Sequence, residues 1–528
     1  MTWSSQFEDM LRGGIFEPII MLHVMKWAGT PGHEFWAASA PGYGVPEIVG
    51  PSLSMSGMSV SPVTWEYTHG TCSVELSTDD IGLLTANVPR GSLCQVLVGF
   101  AGWDIADFEP VFVGKVQNIR GRPPNYTLDL WDGTSVLNSR LNSGSFSAFT
   151  LNRNNLFYNV KSTQYTTLTT QYETSHNTLD VAAASKLEMP TSSTTYPGAV
   201  YIDNGTTQFF LTYTGKSGNQ LTGVTTSNIL GTTRAQSTTA DSKVYNAAYL
   251  QGVPAEIFLR LLVSGSGSSV YDTYPETWGY GLPASLIDVT DVFNVYLAMV
   301  RAAGAGTYLL TYGQKDSIDD SWTWISEFFR DIGLVPVIRH GLITFRPIQD
   351  PAAPLIDTDI SITDADIAEV LEWGAYHPDV PAEYLQVKVA ADGGSTLTSL
   401  RDPETSPIAG RITYDNTDKI FTYGSNSNNE IKARVKMWGT NLPEYVSLRC
   451  AGMRLATLAP LDIVQVTSTM IGKGRIYATR DNGYDNQPCM VLSVSPDFYT
   501  GEVVLELAAI DSSLSGAGAV TWTSSEQG

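Results

Sequence analysis

Gly215-Lys216-Ser217 is the run that most invites a chemical reading, because Gly-Lys-Ser can cradle a phosphate. A phosphate loop also needs a glycine five positions before its Gly-Lys pair and a long helix after it. Phe210 stands in the first place and no long helical pattern follows, so the run reads as a turn. Asp357, Asp359, Asp364, Asp366, Glu369 and Glu372 could offer hard oxygens to a cation. The twelve-residue calcium loop, with a central glycine and a closing glutamate, is missing. These carboxylates read as solvated loop and helix-cap positions.

Nitrogen and sulfur chemistry is equally sparse. His23, His33, His69, His176, His340 and His377 are scattered, without an HExxH pair or a spaced His/Cys cluster. His340 fits a turn before Gly341. Cys72, Cys94, Cys450 and Cys489 form no CxxC motif. They read as free buried thiols, with two long-range disulfides as the open alternative. Neither a GxSxG elbow nor a GxGxxG fingerprint is present. Paired carboxylates for glycoside cleavage cannot be chosen by spacing among 53 acidic residues. No catalytic, cofactor-binding or metal-binding residue is nominated, no cofactor is implied, and the expectation is a protein that is not an enzyme. Trp103, Trp131, Trp278, Trp322, Trp324 and Trp438 are candidate sugar-stacking platforms, with core or interface anchoring as the competing role.

Composition sets the wider bounds. The chain has 528 residues, a formal charge of −22 and 10% aromatics. Its length suggests several domains, and its aromatic content argues against wholesale disorder. The excess of acid over base disfavours sequence-independent nucleic-acid binding, while leaving a local basic patch open. The apolar run 19–27 is far shorter than the ~20 residues that span a membrane. Residues 1–14 contain Glu8 and Asp9 and lack the order of a secretion signal. The expectation is a soluble product made in the cytoplasm.

The elements that would position any site are mostly strands. Strand candidates occur at 16–27, 65–67, 72–76, 96–100, 111–119 and 126–131; those at 65–67, 72–76 and 126–131 alternate, 96–100 reads as more fully buried, and 120–125 has turn chemistry. A polar stretch follows, with a short helix suggested at 178–187. Residues 196–249 form a compact β unit whose Asn204-Gly205 signals a hairpin. Helices are expected from Pro254, from about 288 to 301 with Thr290 as cap, and over 319–332, where Ile325, Phe328 and Phe329 share a stripe. A hairpin follows over 334–348. Strands are then expected near 384–389, 430–438, 461–466, 490–495 and 502–507, with a helix over 442–458. The fold class is mainly β with α+β parts. The chain divides into an N-terminal arm at 1–15, a first β-barrel domain at 16–142, and a polar excursion with a small inserted β module at 143–250. An α+β domain at 251–375, a second β-barrel domain at 376–511 and a flexible or partner-ordered tail at 512–528 complete it.

The order of these segments resembles the baseplate hub, or minor tail, proteins of long-tailed bacteriophages. The local likeness is strongest over 196–245, where Tyr213-Thr214-Gly215, Asn219-Gln220-Leu221-Thr222-Gly223 and Gly231-Thr232 resemble the family's turn-and-strand module. Gln220 is an insertion relative to that pattern. Val111 to Val116 with Tyr126 to Asp132 resembles the paired strands of a hub barrel, and 455–466 resembles the join into a second barrel. Leu461-Asp462 stands where the family often has Gly-Asp, which puts the tight turn in doubt.

The resemblance implies two tube-like β-barrel domains per subunit and a homotrimer that presents six such domains to a six-fold tail tube. The implied location is the distal end of the virion tail. The implied partners are a distal tail or tail tube protein, a tape-measure protein, tail fibre or spike proteins, and passing DNA bound without sequence recognition. No stable membrane span is implied. The role would be structural, in host attachment and genome ejection. A carbohydrate- or receptor-binding tail protein and a cell-wall hydrolase component are the alternatives. A net acidic lumen would limit sticking of DNA by like-charge repulsion.

Overall fold

Two-residue alternation builds the first sheet. In Thr71–Ser77, Cys72, Val74 and Leu76 turn inward while Thr71, Glu75 and Ser77 face out. Asn125–Asp132 repeats the pattern with Tyr126, Leu128 and Leu130 inside. The computed structural model describes residues 4–12, 18–24, 35–40, 48, 53–61, 65–79, 82, 88–132, 165–187, 197–225, 238–263, 286–303, 310–314, 321–349, 351, 354–374, 384–390, 396–400, 411–415, 421–423, 444–471 and 483–509, apart from positions 69, 89, 207, 332, 340 and 357 within them. His340, the 430–438 run and the 512–528 tail lie outside the described residues.

The protein is mainly β with α+β parts, as its residue patterns indicate. A seven-stranded antiparallel sheet runs in the order Phe35–Ala38, Pro18–Val24, Leu93–Phe100, Glu109–Arg122, Asn125–Asp132, Thr71–Ser77, Ser54–Ser56. The turn expected over 120–125 is tighter than the sequence suggests, since the flanking strands close to Pro123 and Pro124 alone. An eight-stranded sheet runs Ser361–Thr363, Ile463–Ser468, Tyr484–Asp497, Glu502–Ala509, Glu444–Ala451, Ile367–Gly374, with Met58–Val60 joined to its Tyr484–Asp497 strand and Tyr67–Thr68 joined to Met58–Val60.

The two sheets share one hydrophobic cluster. Ile20, Val74, Val96 and Leu128 of the first pack with Val446, Leu448, Val464 and Leu505 of the second. The short helix Ser5–Arg12 adds Phe7 to this core. On the opposite face of the eight-stranded sheet, Tyr445, Ile463, Met490 and Leu492 meet a helical layer. Its helices are Pro254–Val263, Val289–Ala303 and Ser321–Asp331, and its hairpin is Leu334–Arg339 with Leu342–Pro347. Phe258 sits edge-on to Phe329 at 4.9 Å and to Phe345 at 4.8 Å between ring centres. Asp288, not Thr290, caps the middle helix, accepting from the Asp291 N–H at 3.0 Å.

The unit at 165–252 has its own core, built on Leu179, Val200, Leu211, Tyr213 and Leu221. Gly198–Asp203 and Gln208–Tyr213 pair as the Asn204-Gly205 signal indicates. Strand Lys243–Gly252 pairs with Gly198–Asp203 at one end and Leu310–Gln314 at the other, tying the unit to the helical layer. A separate small sheet orders Thr396–Leu400, Tyr384–Ala390 and Arg411–Asp415.

Two helix expectations fail. Residues 178–187 form strand Thr178–Asp180 and a single 3₁₀ turn, because Leu179 pairs opposite Leu221. Residues 442–458 form strand Glu444–Ala451 and a 3₁₀ turn at Met453–Thr457. That strand is buried on both faces, so its apolar residues no longer alternate visibly with polar ones.

Candidate functional site

The nominated tryptophans separate by environment. Trp324 is buried and stacks on Phe328 at 4.7 Å. Trp103 packs edge-on to Phe100 at 5.0 Å and to Phe7 at 6.3 Å. Both are packing residues. Nothing is described of the side chain of Trp322, and Trp278 and Trp438 lie outside the described residues. Trp131 remains 37% exposed.

Trp131 stands on the outer face of the seven-stranded sheet. Its strand partners are Thr71 on one side and Lys115 on the other. Cross-strand partners point to the same face, so all three side chains lie on it, with Trp131 exposed and Lys115 buried. Farther along that face, Leu93 and Val113 are covered by Leu286 and Leu342. The turn at Gly341, with φ of 73°, brings its backbone against Phe112 and Val113. Beyond this cover lies a cleft of about 480 Å³ lined by Thr71, Ser73, Arg90, Asn118, Asp129 and Trp131, among others. A β-bulge at Gln117, where the register slips between Val116 and Asn118, forms part of its floor.

The charged residues lining the cleft are Arg90 and Asp129, with Arg120 and Lys115 next to them in the sheet. Arg120 donates to both carboxylate oxygens of Asp129, at 2.9 and 3.2 Å. Lys115, 8% exposed, is brought down to about 8 by burial and by the neighbouring charge of Arg90. Asp129 is the one carboxylate among the residues lining the cleft, so no general acid and base face each other there.

The other sequence candidates serve the scaffold. Gly215-Lys216-Ser217 is a short strand paired with Gln220–Thr222, not the turn expected of it; the reversal falls on Gly218 and Asn219. The Lys216 ammonium donates to the Leu187 carbonyl. The acidic stretch is distributed over the two terminal strands of the eight-stranded sheet and the turn between them. Ser468 and Thr469 hydroxyls hold Asp364 down to about 2. Asp366 bonds Arg454, and Glu369 bonds Arg449 at 2.8 Å. Asp357 lies outside the described residues. Among the described residues no group of three metal-ligating side chains converges. All four cysteines are buried and free, and burial raises their thiols, Cys450 to about 12. Among the described residues no helix is long and apolar enough to cross a membrane.

A second exposed feature is the outer strand of the eight-stranded sheet. Ile367–Gly374 pairs with Glu444–Ala451 through two register slips and has no other partner among the described residues. Leu371 and Trp373 on it are 40% and 37% exposed. Sequence reading placed this strand in an acidic loop and gave no signal for it.

The Gly-Asp position at 461–462 also resolves. Leu461 adopts φ of 73°, the left-handed conformation natural to glycine, and the turn is tight: Asp462 accepts from the Ala459 N–H at 2.8 Å.

Three of the solved structures to which the chain is similar are as follows. The tail protein from Neisseria meningitidis MC58 is 10% identical with a TM-score of 0.36, over 93% of this chain and 97% of that one. The 43 kDa tail protein of prophage MuSo2 from Shewanella oneidensis is 10% identical with a TM-score of 0.36, over 94% and 99%. A chain from the virion of a native gene transfer agent particle is 12% identical with a TM-score of 0.19, over 53% and 93%. No family model matches the sequence, and no curated protein does.

Proposed function

We propose that the protein is a structural component of a bacteriophage tail and, within it, the hub at the distal end. Three copies form a ring that continues or closes the six-fold tail tube. The seven-stranded and eight-stranded sheets of each copy supply the tube-like β domains. The ring contacts a distal tail or tail tube protein and a tape-measure protein, and anchors fibre or spike proteins. DNA passes it without being read. No enzymatic step is assigned to it.

The observation that carries this reading is the open edge at Ile367–Gly374. A strand whose outer side has no partner among the described residues, with exposed Leu371 and Trp373, is a liability in a lone subunit and an asset in a ring. The sequence resemblance over 196–245 and 455–466 supplies the kind of ring. Light scattering on the purified chain tests it: the expected particle is three times the 57.2 kDa monomer. Leu371→Lys places a charge in the contact and yields monomers of unchanged unfolding midpoint. A wild-type chain that stays monomeric at all concentrations, and is absent from the tail end in labelled virions, refutes the reading.

A further inference from the structure

We propose that the Trp131 cleft binds a neutral saccharide, a short run of uncharged sugar rings. The site is independent of the ring edge and goes beyond the tail reading.

Strand register builds it. Thr71 stands opposite Trp131, and two residues along, Ser73, Asp129 and Asn118 stand opposite one another on three neighbouring strands. Alternation sends Cys72 and Leu130 into the core and these five side chains to the outer face. Neighbouring strands lie about 4.8 Å apart, and every second residue about 7 Å along. A hydroxyl, a carboxylate and an amide therefore form a row beside the exposed indole of Trp131. The bulge extends this row. It sets one extra residue between Val116 and Asn118, so both Gln117 and Asn118 line the cleft where strict alternation would supply one amide.

The lining selects the ligand. Its charged members, Arg90 and Asp129, are one of each sign, so neither an anion nor a cation gains net attraction. Hydroxyls, amides and a carboxylate together donate and accept, and a sugar hydroxyl does both. A carboxylate has about four lone-pair sites, so Asp129 accepts from Arg120 and keeps capacity for a ligand hydroxyl. An apolar ligand would leave the row unpaired. The indole offers a flat apolar surface to the C–H face of a pyranose. An extended peptide needs an open strand edge, and the three strands here are each paired on both sides. A nucleic-acid strand needs a groove of cations, and Arg90 is the one cation lining this cleft among the described residues. The volume of about 480 Å³ falls within the ~300–1,000 Å³ of small-ligand sites.

Isothermal titration of the full-length chain tests the assignment. The neutral probes are maltotriose and chitotriose, and their charged counterparts are trigalacturonate and the chitosan trimer. At least one neutral probe binds, about tenfold or more tighter than its charged counterpart. Its affinity is unchanged from about 0.1 M to about 1 M salt. Trp131→Ala weakens it about tenfold or more, Trp131→Phe, which keeps a ring face, weakens it less, and Asn118→Ala weakens it about threefold or more. Urea midpoints confirm that all three variants fold. Asp107→Asn, on an exposed turn outside the cleft, changes nothing. Equal or tighter binding of a charged counterpart overturns the neutral assignment. Equal loss in Trp131→Phe and Trp131→Ala overturns the stacking. No binding of any probe, or binding unchanged in both Trp131→Ala and Asn118→Ala, overturns the site itself. A monomeric chain that binds a neutral probe refutes the ring and leaves the cleft standing, and a trimer that binds none does the reverse.

Discussion

Arg346 and Asp462 join two layers of the molecule: the guanidinium Nε donates to the Asp462 Oδ1 at 2.8 Å, with both side chains essentially without solvent. The other guanidinium nitrogens donate to Asp291 on helix Val289–Ala303, which also accepts from Arg339 at 2.7 Å and from the Thr344 hydroxyl at 2.7 Å. One buried cation thus ties a hairpin strand, a helix and the turn before Ile463–Ser468. Removing Arg346 takes the cation from the buried Asp462 carboxylate and leaves Asp291 with Arg339 as its cation. Arg346→Met is expected to cost about 3–5 kcal/mol in urea unfolding. Adding Asp291→Asn and Asp462→Asn restores most of the loss. A triple variant no more stable than the single one contradicts this account.

Asp291 gives the same lock a pH signature. Burial alone would raise its carboxyl, but Arg346 and then Arg339 outweigh burial and hold it at about 2, against an ordinary 3.8. The folded value lies below the unfolded one. The stabilisation is therefore complete above the unfolded value and disappears as pH falls through the folded one. It amounts to about 2–3 kcal/mol. Urea midpoints measured from pH 6 to pH 2 should fall more steeply below pH 4 for the wild type than for Asp291→Asn.

Leu461 sets strain against burial. Its left-handed φ costs about 1–2 kcal/mol relative to glycine. Its side chain is completely buried in the cluster with Ile463 and Met490, and removing such a leucine costs about 2–5 kcal/mol. Burial wins. Leu461→Gly is expected to lower stability by about 1–3 kcal/mol despite relaxing the turn. A rise in melting temperature would show that strain dominates.

Lys115 predicts the opposite pH slope. Its folded value of about 8 lies below the unfolded 10.4, so folding releases a proton between those values and stability rises with pH across that window. Lys115→Met removes the cost of burying the charge. The variant should be more stable at pH 7 by about 1–3 kcal/mol, with the advantage shrinking as pH approaches 10. An advantage independent of pH would mean that packing, not charge, is responsible.

Much of the β framework was legible because its strands are buried on one face. Thr71–Ser77 and Asn125–Asp132 declare themselves by alternation. Glu444–Ala451 does not. Val446 and Leu448 face the first sheet while Tyr445 faces the helices, and an apolar run buried on both sides carries no period that separates strand from helix. The cleft was legible only in part. Trp131 stood out as one of several tryptophans, but Arg90, Asn118 and Asp129 join it through strand register and a turn, which local spacing does not encode. The lock of Arg346 with Asp462 spans more than a hundred residues of sequence and left no mark in either neighbourhood.

The hydrogen-bonded contact between Met58–Val60 and Tyr484–Asp497 has a consequence for biosynthesis. A ribosome adding about 5–20 residues per second needs roughly 20–90 s to travel from one partner to the other. During that interval the early strands emerge with the surface meant for Val494 and Leu505 still uncovered. The nascent chain therefore depends on a chaperone, or on transient self-burial, until its late strands arrive to seal the seam. A chain truncated before these strands is expected to aggregate, because the surface they cover stays exposed.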